Sequence, residues 1–506
     1  MDCQFFQWRL LPVAVLLTSV AFFFYFQSSY NALTRQSCTL LPHSHFLIVS
    51  KRVVTPEGVI SGAVEVKSGV IVSITRDTVI HSHLSSIHVI DFGDAVVMPG
   101  LIDVHVHLDE PGRTDWEGFL TGTKAAAAGG ITTLVDMPLN SHPSTISAET
   151  LKLKLASAEK NIYVDIGFWG GLVPENSQNK SMLEGLLDAG ALGLKSFMCP
   201  SGINDFPMTN VSHIKEGLSV LAKYKRPLLV HSEVQHESED NFDEKLHDPR
   251  KYSTYLNSRP PSMEETAIKE LLKVSKETRI GGSSEGAHLH IVHLSDAGSS
   301  LNLLNEAKAR GDSISVETCP HYLAFTSEEI QDGDTRFKCA PPIRDSANQE
   351  ALWKGLLAGD IDLLSSDHSP TLPNLKLFSE GNFLKAWGGI SSLQFVLPVT
   401  WTYGKNHGVS LEKLAKWWSE KPAKLASQHL RGAIAVGNYA DFAVWEPEVE
   451  VILNESFLVF IKHPSISAYL GRKLSGNVLA TFVRGNLVYE NGKHAPDACG
   501  VAILAK

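Results

Sequence analysis

Apolar runs recur along the middle of the chain, and they alternate with stretches of helical periodicity. Between residues 99 and 372 the runs predict eight strands, at 101–107, 131–138, 163–172, 191–198, 227–233, 288–295, 314–323 and 360–367. Uninterrupted apolar runs are typical of parallel strands that are covered on both faces. Helical patterns lie between them, for example at 123–129, 149–160, 264–275 and 349–358. Eight such strands in series predict an α/β fold, a (β/α)8 barrel. An open doubly wound sheet is the alternative, but no glycine-rich phosphate loop follows the first strand.

Shorter alternating runs flank this region on both sides. They lie at 46–49, 62–67 and 70–75 before it, and at 432–446 and 478–489 after it. Alternation of apolar and polar positions indicates strands with one buried face. We therefore expect a small β-sandwich beside the barrel, built from residues 41–98 and 428–506, with residues 99–427 forming the barrel.

The first 40 residues differ from the rest, because residues 10–26 are 17 positions without a charge. A secretory signal has an apolar core of ~7–15 residues, and a membrane-spanning helix needs ~17–25. A cleaved signal peptide and an uncleaved signal anchor therefore both remain open, the second attaching the chain to a membrane. Either predicts the endoplasmic reticulum, with secretion less favoured. Three glycosylation sequons, at Asn179, Asn210 and Asn454, agree with this weakly.

Composition narrows the classes of partner. The 506 residues are 43% hydrophobic and 20% charged, and the formal net charge is −10, so nothing indicates a nucleic-acid partner. The six cysteines are scattered without a CxxC pair, which is no disulfide framework, although one bridge is possible. Cys199, Cys319 and Cys339 lie near predicted strand ends and could equally be buried thiols.

The first predicted barrel strand carries the clearest chemical signal. His105 and His107 are two positions apart, so a strand directs both imidazoles to the same face. Further candidate ligands stand at the ends of later strands: Lys195 on the fourth, His231 on the fifth, His293 on the sixth and Asp367 on the eighth. Barrel enzymes place their reactive residues at these ends. Each residue alone could be structural, but together they predict a divalent-metal centre.

Lysine is the unusual member of this set, because an ammonium group repels a cation. A desolvated lysine can lose its proton and take up CO2, which gives a carbamate with two oxygens. Lys195 would then be N6-carboxylysine and could bridge two metals. Two metals ~3.5–4 Å apart can hold and activate a nucleophilic hydroxide.

Five motifs extend the pattern: HVHLDEPGR at 105–113, DMPLNSHP at 136–143, GLKSF at 193–197, KCAPPIRD at 338–345 and SDHSP at 366–370. Through them the chain resembles the cyclic amidohydrolases of the amidohydrolase superfamily and, among these, the allantoinase family of plants. The resemblance covers nearly everything from about residue 42 to 500. It implies hydrolytic ring opening of allantoin to allantoate in purine catabolism, by a homo-oligomer, commonly a tetramer.

The resemblance also implies roles for single residues. His105, His107 and Asp367 would bind the more buried metal, His231 and His293 the second, and carboxylated Lys195 both. Asp367 would also transfer a proton from the nucleophile to the leaving nitrogen. The second metal would polarise the ring carbonyl. Zinc is the favoured metal, and manganese or cobalt would also suit the mixed nitrogen and oxygen ligands.

Substrate choice within the superfamily needs separate signals. Dihydroorotases carry an arginine where this chain has Asp109, whose charge would repel a substrate carboxylate. Hydantoinases and dihydropyrimidinases commonly have a tyrosine in the loop after the lysine, and residues 197–204 contain none. Both differences favour a neutral ureide.

Ser369, Asn140 and Ala340 are the expected substrate contacts, although Asn140 could be a plain turn residue. Arg113 is expected to lock its loop by ion pairing rather than to bind substrate, and His321 and His368 to be structural. Two alternatives stay open: a hydantoinase or dihydropyrimidinase, and a non-catalytic assembly protein without metal.

Overall fold

The computed structural model describes residues 37–76, 87–235, 247–454 and 456–506. The apolar segment at 10–26 lies outside these ranges. Within them, no helix combines the length and the apolar character needed to cross a membrane.

Nineteen strands occur in the described residues. In chain order β1 to β19 are His45–Thr55, Gly58–Lys67, Val70–Arg76, His88–Asp91, Val96–Pro99, Leu101–Val106, Ile131–Asp136, Asp165–Phe168, Gly170–Gly171, Leu194–Phe197, Pro227–His231, His288–Ile291, Ile314–Thr318, Leu363–Leu364, Phe442–Ile452, Lys473–Val483, Asn486–Glu490, Lys493–His494 and Ala502–Ile503.

Thirteen α-helices accompany the strands in the same ranges. In chain order α1 to α13 are Phe119–Ala128, Ala148–Ala158, Pro174–Ser177, Lys180–Asp188, Val211–Tyr224, Tyr252–Ser258, Pro261–Ser275, Ser299–Ala309, Pro320–Ala324, Ser346–Ala358, Val396–Gly404, Leu411–Ala415 and Lys421–Leu425. A π-helical turn, Lys416–Glu420, joins the last two.

Strands β6 to β14 form the barrel. β6, β7 and β8 pair in parallel, β9 continues the line of β8, and β9 to β14 pair in parallel in chain order. A parallel bridge between Val106 and His368 closes the ring, and the His107 backbone N–H donates to the His368 carbonyl at 2.8 Å. The predicted α/β barrel fold is therefore confirmed.

One predicted strand is wrong in its second half. The run 314–323 is strand only as far as Thr318, where β13 ends, and α9 begins at Pro320. Proline suits the first position of a helix, because its φ is already helical and the N–H it lacks would be unpaired there. The apolar run continues through both elements because both are buried, so periodicity alone does not separate them.

The segments before and after the barrel share one mixed sheet of nine strands. Its path is β18-β17-β16-β15-β5-β1-β2-β3, with β4 also paired to β1. β15 pairs antiparallel to β5, and β5 leads directly into β6. Phe46, Phe442 and Phe482 are fully buried in the core of this sheet. The first barrel strand is thus anchored on a sheet that both ends of the chain build.

The C-terminal end of the chain is tied to the barrel at β8. β19 pairs in parallel with β8 at Ala502 and Ile166. Asp165, which is fully buried at the start of β8, accepts hydrogen bonds from Arg431, from Arg484 and from the Val501 backbone N–H. A disulfide joins Cys38 to Cys499, whereas Cys199, Cys319 and Cys339 are buried free thiols.

Reduction of this disulfide should destabilise the fold. The bridge closes a separation of 461 residues, and cross-links over long loops stabilise proteins by about 2–4 kcal/mol, chiefly by restricting the unfolded chain. We expect dithiothreitol, or the variant Cys38→Ser, to lower the urea unfolding midpoint of the protein. Dithiothreitol should have no further effect on the variant. An unchanged midpoint in the reduced wild type would contradict the prediction.

Candidate metal centre

Five of the six predicted ligands lie at or just beyond the carboxyl ends of barrel strands, and Lys195 lies within a strand. His105 is near the end of β6 and His107 follows it, Lys195 is the second residue of β10, and His231 is the last of β11. His293 lies two residues beyond β12, and Asp367 lies three beyond β14. Parallel strands bring these ends to one mouth of the barrel, so the fold alone gathers the set.

Distances show how tightly they converge. Asp367 Oδ1 is 3.3 Å from His105 Nε2 and 3.6 Å from His107 Nε2. One potential ligand atom from each of these three residues lies within 4.8 Å of the others. The His293 ring centroid is 5.3 Å from that of His105 and 4.5 Å from that of His231. The histidines are thus close enough to share one centre.

Unpartnered polar atoms indicate what this centre can hold. His107 Nδ1, His293 Nδ1 and Lys195 Nζ are buried and have no hydrogen-bond partner among the described residues. Buried polar groups are nearly always paired, so three such atoms in one cluster need an explanation. Imidazole nitrogens and carboxylates are ligands of zinc and related divalent metals. These residues therefore fit a metal centre.

Burial also sets the charge states. It lowers the pKa of His107 and His231, and it lowers the pKa of His293 well below the usual range, which favours neutral imidazoles that can ligate. Burial likewise lowers the pKa of Lys195 to about 7, against the opposing charges of Asp367 and Glu317. An appreciable share of its amine is then neutral near pH 7.

Asp367 and His293 share an uncommon backbone conformation. Their φ angles are +44° and +38°, in the left-handed region. Non-glycine residues in this region are few and cluster at functional sites.

The pKa of Asp367 is held well below its usual range, because the nearby imidazoles outweigh the penalty of burial. Its carboxyl group is therefore ionised.

A cavity of about 540 Å³ opens onto the centre. Asn140, Ala340 and Ser369, the predicted substrate contacts, all line it, with Arg259 and Trp387. Its volume falls in the range of small-molecule sites. The Ser369 hydroxyl donates to Asp367 Oδ1 at 3.0 Å, which connects the cavity wall to the centre.

Three buried tyrosines hold the segment around Ala340. The hydroxyl of Tyr255 donates to the Cys339 carbonyl at 2.7 Å, Tyr322 to Pro341 at 2.8 Å, and Tyr252 to Ile343 at 3.0 Å. Three side-chain hydrogen bonds therefore hold the backbone of this part of the cavity wall.

The expectation that Asp109 repels a substrate carboxylate is not supported by its position. Asp109 is buried with φ +63° and does not line the cavity. Burial, and the charges of Asp136 and Glu117, raise its pKa well above the usual value. Asp109 therefore makes no direct contact with a substrate in the cavity.

The structure also shows the contacts of Arg113, His368 and His321, which the sequence analysis expected to be structural. Arg113 donates to the Asn140 carbonyl at 2.6 Å, which links two loops, and it makes no ion pair within the part of the chain that the structure describes. His368 is structural, since its Nδ1 accepts from the backbone N–H groups of Ser392 and Leu393. His321 is fully buried and does not line the cavity.

Two carboxylates next to the centre escaped the sequence analysis. Glu317 lies 2.6 Å from His105 Nδ1, and Glu233 lies 2.6 Å from His231 Nε2. The only sequence signal for Glu233 is its place two residues after His231. Glu317 gave no signal, because it meets His105 across 212 residues.

Comparison with known proteins identifies the family to which this chain belongs. Residues 96–488 match the model of the amidohydrolase family, and residues 41–95 match that of the allantoinase composite domain. An L-hydantoinase (dihydropyrimidinase) from Arthrobacter aurescens superposes with a TM-score of 0.82 at 28% identity, over 91% of this chain and all of that one. The chain therefore belongs to the amidohydrolase family.

Curated relatives place it within that family. An allantoinase of Arabidopsis thaliana is 66% identical over the full length of both chains. A probable allantoinase of Oryza sativa is 62% identical over 98% of each, and a Streptomyces avermitilis allantoinase is 42% identical over 88% of this chain and 95% of its own. Among the amidohydrolases, this chain groups with the allantoinases.

Proposed function

We propose that this chain hydrolyses the cyclic amide of allantoin to give allantoate, using two divalent metal ions. The carrying observation is the convergence of four histidines, a lysine and an ionised aspartate beneath a cavity of about 540 Å³. The identity of 66% to an allantoinase over the full length supports the substrate. Both observations favour hydrolysis of a cyclic amide.

His105, His107 and Asp367 would hold one metal, and His231 and His293 the other. Lys195 would bridge the two as N6-carboxylysine, formed when its neutral amine adds to CO2 and loses a proton. Its buried, unpartnered Nζ supports this role. Zinc suits the histidine-rich set best, with manganese and cobalt as alternatives. Bound metals would lower the pKa of water and polarise the amide carbonyl.

Side chains of the protein would transfer the proton from the attacking water to the leaving nitrogen. The Asp367 carboxylate is ionised and within reach of the centre, so it would accept the proton of the attacking water. It would return that proton to the ring nitrogen as the amide bond breaks. Ser369, which donates to Asp367 Oδ1, would orient the carboxylate. Asn140 and the backbone of Ala340 would bind the amide groups of the substrate.

A substrate panel tests the proposal. The full chain would be supplied with zinc, manganese or cobalt and offered racemic allantoin, dihydrouracil and dihydroorotate in separate assays. We expect turnover of allantoin in preference to the other two, lost on chelation and restored by metal. Preferred turnover of dihydrouracil would favour the dihydropyrimidinase alternative instead. A protein inert before and after metal return would favour the non-catalytic alternative.

We further propose that the enzyme resides in the endoplasmic reticulum as a homo-oligomer. The Cys38–Cys499 disulfide supports this compartment, because disulfides persist in oxidising environments. Residues 10–26 would deliver the chain there, as a cleaved signal or as a membrane anchor. We expect the protein to be protected from added protease in intact microsomes. Carbonate extraction should release the protein if the signal is cleaved and leave it in the membrane if the segment is an anchor. Light scattering of the purified protein measures the mass of the oligomer.

A further inference from the structure

Glu317 lies against the back of His105. Its Oε1 is 2.6 Å from His105 Nδ1, and its Oε2 is 3.0 Å from His290 Nε2. A carboxylate can only accept in these contacts, so each imidazole carries its proton on the nitrogen that faces Glu317. His105 therefore has an unprotonated Nε2, and this atom lies 3.3 Å from Asp367 Oδ1.

Glu233 makes a similar contact with His231, but with the other ring nitrogen. Its Oε2 is 2.6 Å from His231 Nε2, so here Nε2 carries the proton and Nδ1 is left bare. Arg259 holds the same carboxylate, with Nε donating to Oε1 at 3.0 Å and Nη2 to Oε2 at 2.5 Å. The two histidines therefore offer opposite ring nitrogens, each selected by a different carboxylate.

Both carboxylates are themselves fixed. Glu317 and Glu233 are fully buried, and each is held by a second cationic or donor group. Arg259, the partner of Glu233, also lines the cavity. Carboxylates that accept from metal-binding histidines orient the ring and raise its basicity, and their loss typically costs roughly 10–100-fold in metal affinity.

We propose that Glu317 and Glu233 are positioning residues that select which ring nitrogen His105 and His231 present to metal, with Arg259 fixing Glu233 from the cavity wall. This inference rests on the proposed binuclear function. It assigns one carboxylate to each half of the centre, so their removal weakens different metals.

Titration of metal-free protein with Co²⁺ tests this without measuring activity. Binding would be followed by visible absorption and by metal content after dialysis. Glu317→Gln and Glu233→Gln should each leave one tight site and weaken the other by roughly 10–100-fold. The double variant should weaken both. Glu65→Gln is the matched control, because Glu65 accepts from His45 at 2.8 Å in the flanking sheet, and it should match wild type.

Arg259 provides a further variant, because its hydrogen bonds in the described residues go to Glu233 and Cys199 and not to a histidine of the centre. Arg259→Gln removes the bidentate contact to Glu233 and should weaken the same site as Glu233→Gln, by a smaller factor. Arg259→Lys, which keeps the charge but not the paired geometry, should recover only part of the affinity. Arg279→Gln, which breaks the ion pair with Asp312 elsewhere in the fold, is the control and should bind like wild type.

The outcomes separate this inference from the proposed function. If wild-type protein binds no Co²⁺, the binuclear function fails. If wild type binds two ions and the glutamate variants, folded by circular dichroism, bind both as tightly, the positioning roles fail alone. Loss of the same site in Glu317→Gln and Glu233→Gln would also overturn the assignment of one carboxylate to each half.

Discussion

Replacing Lys195 with alanine is expected to lower kcat/KM for allantoin by about 10³-fold or more, which is ~4 kcal/mol of lost transition-state stabilisation. Lys195 is fully buried, and its Nζ lies 4.7 Å from the centre of the Phe197 ring but has no hydrogen-bond partner in the described residues. Without a carbamate at this position, the proposed centre would lack the oxygen pair that Lys195 would supply to both metals. The variant should keep at most one tightly bound metal, because His231 and His293 alone make a weak site.

Two measurements separate this role from a loss of structure. Acetate or propionate supplied to Lys195→Ala can enter the vacated space and should restore part of the activity. In wild type, ¹³C-labelled bicarbonate present during metal loading should give a carbamate carbon signal that the variant lacks. Lys308→Ala is the control, since Lys308 is a half-buried lysine that binds Asp362 away from the centre. Full activity in Lys195→Ala would refute the carbamate bridge.

Asp367→Asn is expected to lower kcat by about 10²–10⁴-fold, the usual contribution of general acid–base catalysis. Asparagine keeps the shape of the side chain but cannot accept the proton of the attacking water. It also weakens the contacts to His105 and His107, at 3.3 and 3.6 Å in the wild type. The KM for allantoin should change far less than kcat, because the carboxylate acts on the proton and not on substrate binding.

Metal analysis distinguishes the two roles of Asp367. A variant that retains two metals per chain and has lost kcat would place the defect in proton transfer. Ser369→Ala is the matched comparison: it removes the hydroxyl that donates to Asp367 and should reduce kcat by a smaller factor with the metals in place. Near-normal kcat in metal-loaded Asp367→Asn would remove it from the catalytic machinery.

The gathering of the six predicted ligands at one mouth of the barrel could be predicted from sequence, because strand periodicity and barrel topology together fix their positions. Histidines two apart in one extended run share a face, and residues at the ends of parallel strands meet at one mouth. The same logic gave the eight barrel strands. It failed after Thr318, where a buried run continues from β13 into α9 and the apolar pattern does not change.

Other features depend on contacts that no local pattern encodes. Glu317 reaches His105 across 212 residues, and Cys38 pairs with Cys499 across 461. Asp109 has a positive φ and does not line the cavity, although its place two residues after His107 predicts a substrate-facing group. Side-chain direction at a turn follows from backbone torsion, which one sequence does not reveal.

We propose that this chain needs two metals, held by these six residues, to hydrolyse allantoin. The most direct test is to add Zn²⁺ or Mn²⁺ stepwise to the metal-free full chain, with bicarbonate present, and to measure allantoin hydrolysis at each step. Activity should rise until two ions are bound per chain and then stay constant. A plateau at one ion, or two bound ions without hydrolysis of allantoin, would contradict the account.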